Sequence, residues 1–105
     1  MNDELMEQID EWHKAEKHQE IIDALEQIPE AERDFETTGF LARAYNNIEE
    51  YAKAAELLES VREEGAEDER WNFRMGYAQY FLCNYREALS YFSKARELEP
   101  EMETP

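Results

Sequence analysis

Apolar residues recur at three- and four-residue intervals through most of the chain, and polar breaks divide them into six short stripes. Over residues 3–15, Leu5, Met6, Ile9 and Trp12 share a face while Asp3, Glu4, Glu7, Asp10 and Glu11 lie elsewhere. The early acids suit the positive end of a helix dipole. Ile21, Ile22, Leu25 and Ile28 form the second stripe, ended by Pro29. A polar connector over 29–34 follows, too short for a domain linker. Residues 35–48 carry Leu41, Ala44, Tyr45 and Ile48 at helical spacing, with Asn46 and Asn47 near the end. Ala54, Ala55, Leu58 and Val61 make the fourth stripe, and Gly65 predicts a terminator through left-handed geometry. Trp71 opens the fifth, with Met75, Gly76, Ala78 and Leu82. After a break at Cys83 and Asn84 the sixth carries Ala88, Leu89, Phe92, Ala95 and Leu98. Asn84 can cap that last helix, and Pro100 predicts its end at Glu99. The pattern therefore predicts an all-α chain of three antiparallel helix hairpins. A lone hairpin would leave apolar surface in water, so the hairpins must stack.

The stripes also align with one another. Tyr51, Ala54, Leu58 and Val61 recur as Tyr85, Ala88, Phe92 and Ala95 at one constant offset, and the same offset carries Leu41 and Ala44 onto Met75 and Ala78. The first hairpin aligns with an offset shorter by one, placing His18, Ile21, Leu25 and Ile28 on Tyr51, Ala54, Leu58 and Val61. A fixed period of about 34 residues is the mark of an internal repeat.

Charge narrows the partners. Twenty-seven acidic against 11 basic residues give a formal charge of −16, which argues against nucleic acid and anionic membrane, since both need clustered positive charge. Most of that acid reads as a solvated helix surface that keeps the chain soluble. With 105 residues the chain is long enough for one domain that buries roughly 65% of its unfolded surface. Cys83 is the single cysteine, so no internal disulfide forms and a reducing, cytoplasmic setting is expected. Acids are spread over positions 1–20 and no long apolar run occurs anywhere, so nothing signals a leader peptide or a spanning helix.

Catalytic chemistry finds little purchase. His13 and His18 are five apart across a predicted turn, a poor spacing for two metal ligands on one helix face. Cys83 lies at an interhelical turn with no histidine nearby in sequence, and Gly39, Gly65 and Gly76 stand alone, so no phosphate-cradling loop is present. No Glu-x-x-His pair recurs on facing helices. The expectation is a protein that is not an enzyme and holds no cofactor or metal, with Trp12, Trp71 and most other aromatics in the core.

A helix–turn–helix unit of this period, with these residues, resembles the tetratricopeptide repeat. In the last copy Gly76, Ala78, Tyr85, Ala88, Phe92, Ala95 and Pro100 fall at the expected intervals. The middle copy keeps Tyr45 and the small Ala54, while the first has Ile21 where a small residue belongs. Two departures stand out: the first-helix aromatic falls one place early, at Trp71, and Gln79 replaces a common tyrosine. The resemblance implies a right-handed alpha-alpha superhelix, with repeats at about 2–34, 35–68 and 69–102. It also implies a scaffold whose first helices line a concave groove for a peptide or a partner surface.

The groove positions so implied are Phe40, Arg43, Asn46 and Asn47 in the middle repeat. In the last they are Arg70, Phe73, Arg74, Tyr77, Tyr80 and Phe81. Arg43 is the sole charge over 37–48, and Arg70 and Arg74 are the only charges over 70–82. Guanidinium forks and aromatic faces suit an acidic, carboxylate-bearing peptide. The competing expectation is that these arginines pair with glutamates of neighbouring helices. Of the carboxylate clamp used by some family members, Arg70 and Arg74 match the basic positions, but Ile9 and Phe40 stand where asparagines are expected, so it is incomplete. No separate capping helix follows the sixth stripe, which leaves Tyr85, Leu89 and Phe92 as a face for closure. The alternative role is therefore a homodimeric oligomerisation module, or the N-terminal fragment of a larger multi-domain protein, with no groove ligand.

Overall fold

The computed structural model describes residues 1–99. Over them the chain is all-α, with no strand among the described residues. Helices α1 (Asp3–Lys14) and α2 (His18–Glu26) form the first hairpin, and α3 (Phe35–Asn47) and α4 (Tyr51–Glu59) the second. A single turn, α5 (Arg62–Gly65), leads to the third, α6 (Glu69–Phe81) and α7 (Tyr85–Leu98). The connector between the first two hairpins winds into one 3-10 turn, Glu30–Glu32. The helix end expected at Glu99 is met, since α7 stops at Leu98 and Glu99 has φ −139° and ψ 77°, while the repeat limit at 102 lies outside the described residues. No described helix is long and apolar enough to cross a membrane.

All three hairpins turn on one backbone motif. Glu16, Glu49 and Cys83 adopt φ of 59°, 67° and 68°, a left-handed conformation that costs a non-glycine residue about 1–2 kcal/mol. Their own N–H groups donate to the carbonyls of His13, Asn46 and Tyr80 at 3.0, 3.1 and 3.0 Å. The next N–H groups, of Lys17, Glu50 and Asn84, donate to Trp12, Tyr45 and Gln79 at 2.8, 2.9 and 2.9 Å. This double closure satisfies carbonyls that a helix end leaves open. The turns recur at positions 16, 49 and 83, in step with the offsets that align the apolar stripes. The residues entering the second helices repeat as well, with φ/ψ of −91/64°, −94/64° and −92/67° at Lys17, Glu50 and Asn84.

The first helices share a cap. Asn2, Asp34 and Asp68 accept from the backbone N–H groups of Leu5, Thr37 and Trp71, each at 2.8 Å, a contact worth about 1 kcal/mol. Asn84 does not act as predicted: it holds the cap position but makes no side-chain cap bond, and its amide donates to the Gln79 side-chain carbonyl at 2.7 Å instead. Its backbone is already committed to the closing turn, which aims the side chain away from the helix N–H groups.

Successive helices pack on one another, α6 on α7 most extensively, and α3 also packs on α6. The interior consists of two clusters. Ile9, Ile21, Ile22, Leu25, Leu41 and Ala44 fill the first, and Ala42, Ala54, Leu58, Trp71, Met75 and Ala78 the second, with Tyr45 and Leu57 against both. Buried alanines at the crossings let backbones approach. Trp71 is 2% exposed, and its indole N–H donates to the Leu58 carbonyl at 2.8 Å.

Gly65 stands at a helix end as expected, but not through left-handed geometry. No glycine among the described residues has positive φ, and Gly65 is the buried last residue of α5. A Cβ there would overlap the Trp71 indole, so it is close approach that requires glycine. The stripe through Val61 is also interrupted, because α4 ends at Glu59 and Val61 has φ −121°. Beside that break the Ser60 hydroxyl donates to the Leu57 carbonyl at 2.6 Å, competing with helix continuation. On α7 only Ala88 and Ala95 are buried, while Leu89 is 68% exposed. Phe92 is not free: it sits over Gly76, where a Cβ would lie 2.8 Å from its ring, and against Phe73 at 5.6 Å.

A candidate binding groove

Helices α3 and α6 lie side by side, tied where the Asn46 amide donates to the Arg74 carbonyl at 3.2 Å. Between them and α1 opens a cavity of about 300 Å³. Arg43 and Asn46 reach it from α3, with Asn47 beside them, and Phe73, Arg74 and Tyr77 from α6. His13 closes it from α1. A smaller depression of about 210 Å³ adjoins it, sharing Arg74 and lined also by Phe40 and Arg70.

Phe40 organises the cations. The Arg43 and Arg74 guanidiniums lie 4.9 and 5.8 Å from its ring centre, within the range of cation–π attraction. Gly39 makes room for the second of these, since a Cβ at that position would stand 2.7 Å from the Arg74 Nη1. Neither arginine makes an ion pair within 4 Å among the described residues. The expected pairing with glutamates of neighbouring helices is thus absent among the described residues, and Asp68 and Glu69 act on Arg74 only from beyond ion-pair distance. Arg70 is exposed and only brushes Glu69, at 3.9 Å.

Burial sets the electrostatics of the groove. Burial, then the neighbouring Arg43 and Arg70 charges, pushes Arg74 down to about 10. Burial likewise lowers Arg43, partly offset by attraction from Asp10. The Arg43 Nε and the Asn46 Oδ1 are buried with no hydrogen-bond partner among the described residues. A guanidinium in this state gains from any carboxylate brought to it, since the desolvation penalty has already been incurred on folding.

Six residues named from the sequence thus meet in one cavity: Arg43, Asn46, Asn47, Phe73, Arg74 and Tyr77. Phe40 and Arg70 stand in the adjoining depression. Tyr80 and Phe81 lie beyond it at the end of α6, 50% and 46% exposed. There Phe81 stacks on Tyr51 at 4.7 Å and 9° and meets Tyr77 at 4.9 Å, while Tyr80 bridges edge-on to Phe81 and Tyr85 at 5.2 and 5.4 Å. These contacts give an aromatic ridge running away from the cavity. Tyr51 and His13 escape the sequence reading. The repeat carried a signal for the second, because the offset that aligns the first hairpin with the middle one sets His13 on Asn46.

Among the described residues no group of three or more His, Cys, Asp or Glu side chains is placed to hold a metal. No protein-family model matches the chain, and no curated protein matches it in sequence.

Proposed function

We propose that the chain is a protein-interaction scaffold of the tetratricopeptide kind, which holds an acidic, carboxylate-bearing segment of a partner in the groove between α1, α3 and α6. The observation that carries this reading is one of charge. A chain with 27 acidic residues leaves Arg43 and Arg74 half-buried and without an ion-pair partner among the described residues. The recurrence of the hairpin turn at 16, 49 and 83 supports the repeat assignment, and the aromatic ridge offers rigid contact area next to the cations. Anisotropy of a labelled tetraglutamate, compared with tetraglutamine, tests the reading. The acidic peptide should bind and the neutral one should not, and Arg43→Glu with Arg74→Glu should abolish the difference. Equal behaviour of the two peptides would refute it.

A second reading, self-association through α7, rests on Tyr85 and Leu89, which are 58% and 68% exposed. The net charge of −16 opposes it. Light scattering that finds a strict monomer at high concentration removes this option.

A further inference from the structure

His13 is the one groove residue that can change its charge near neutral pH, and its surroundings are unusual. Among the described residues the buried side-chain polar atoms without a hydrogen-bond partner are His13 Nδ1, His18 Nδ1, Arg43 Nε and Asn46 Oδ1. Three belong to residues lining the same cavity, and the fourth to a ring packed edge-on against His13 at 5.8 Å. Unsatisfied polar atoms are rare inside proteins, and their gathering at one cavity marks a place suited to a polar occupant. We propose that an anion entering the groove is held by His13 in its protonated form together with Arg43 and Arg74, so that binding takes up one proton from solvent. This inference rests on the groove being a site for an acidic group.

The groups facing His13 come from every neighbouring element: Asp10 on its own helix, His18 on α2, Arg43 on α3 and Arg74 on α6. In the unliganded chain burial, and after it the charges of Arg43 and His18, hold His13 below the ordinary imidazole value, with Asp10 opposing. The ring is therefore neutral at pH 7 and leaves the two guanidiniums without further repulsion. A carboxylate in the cavity reverses the balance, because a negative charge beside the ring favours imidazolium. The sign of the linkage follows. His13 has the higher affinity for a proton in the liganded state, so its contribution to binding is complete below the unliganded value. That contribution fades as pH rises through the liganded value. Within that window affinity changes by up to about tenfold per pH unit. The reciprocal also holds: the anion raises the proton affinity of His13 by the same factor.

The test uses the full chain and acetylated tetraglutamate. Calorimetry near pH 6.5 in two buffers of different ionisation enthalpy gives the protons exchanged, and NMR of the His13 ring gives its titration with and without peptide. Proton uptake, an upward move of the His13 titration and tightening of several-fold between pH 7.5 and 5.5 are expected. His13→Gln should lose the uptake and the pH dependence, so that its affinity no longer rises between pH 7.5 and 5.5. His18→Gln should keep both. Binding without uptake, with the His13 titration unmoved, overturns this inference and leaves the groove reading intact. If the peptide fails to bind, or binds identically after Arg43→Gln with Arg74→Gln, the groove reading falls and this one with it. The ring titration is made on wild type, so a His13 variant that fails to fold does not blunt the test.

Discussion

Arg62 and Arg74 show two ways of holding a guanidinium against aromatic rings. Arg62 is 5.2 Å from the Trp71 ring and 5.7 Å from Tyr91. It also forks onto both oxygens of Glu59 at 2.5 and 2.8 Å and donates to the Tyr91 hydroxyl at 2.6 Å. The Glu59 and Tyr91 hydrogen bonds raise its pKa above the ordinary arginine value. Arg74 has the Phe40 ring at 5.8 Å but no carboxylate within ion-pair reach among the described residues, and burial pushes it down to about 10. The first site is chemically complete within the chain. The second has no carboxylate partner among the described residues, and that difference, rather than the number of arginines, is what makes one surface a candidate for binding.

The comparison can be broken or sharpened by substitution. The largest effect should come from Trp71→Ala, which removes the ring beneath Arg62 and the bond to Leu58. Unfolding in urea should show a loss of about 3–5 kcal/mol, and a smaller loss would mean the second core cluster does not rest on Trp71. Next, Arg43→Gln with Arg74→Gln should weaken tetraglutamate binding about 10- to 100-fold while leaving stability unchanged or raising it by about 1 kcal/mol. Arg62→Gln should do the reverse, keeping binding and costing at most about 1 kcal/mol, because its ion pair is largely exposed. If both sets of variants lower stability equally, the two sites are not different in kind.

Gly39→Ala is a finer probe. The new Cβ meets the mobile end of Arg74 rather than backbone, and alanine is favoured in a helix by up to about 1 kcal/mol, so stability should hold or rise. Binding of the acidic peptide should nevertheless fall several-fold as the guanidinium shifts. The smallest effect concerns His13 in the unliganded protein. Its folded value lies below the ordinary one, chiefly through burial, so the stability tied to its neutral form is present above about pH 6.5 and is lost as pH falls through the folded value. Thermal melts of His13→Gln should lose less stability than wild type between pH 7.5 and 5.5, and parallel curves would show that the ring is not buried neutral.

Much of the fold is legible in the sequence, and the rest is hidden for physical reasons. Helix positions and breaks follow from short-range spacing, and the buried set of Ile9, Ile21, Leu25, Leu41, Ala54, Leu58 and Met75 lies on the apolar stripes. Cys83 and Glu49 give no warning of left-handed backbone, since neither residue type favours it; they adopt it because the hydrogen bonds of the closing turn outweigh the local cost. Gly65 reads as a helix end and is one, but what requires glycine there is clearance for the indole of Trp71 rather than left-handed backbone. Spacing within one helix carries no information about such a contact.

From residue order alone came the three helical hairpins and the choice of α3 and α6 as the faces poor in acid, because each depends on neighbours within a turn or two of the chain, and the period, because it needs only a comparison of the chain with itself. The tertiary arrangement alone decided that Arg62 meets Tyr91, that Arg74 lies over Phe40, and that His13 joins Arg43 across two helices. Contacts of this kind depend on the distance between separate elements, which is set by how the helices cross and not by spacing along any one of them.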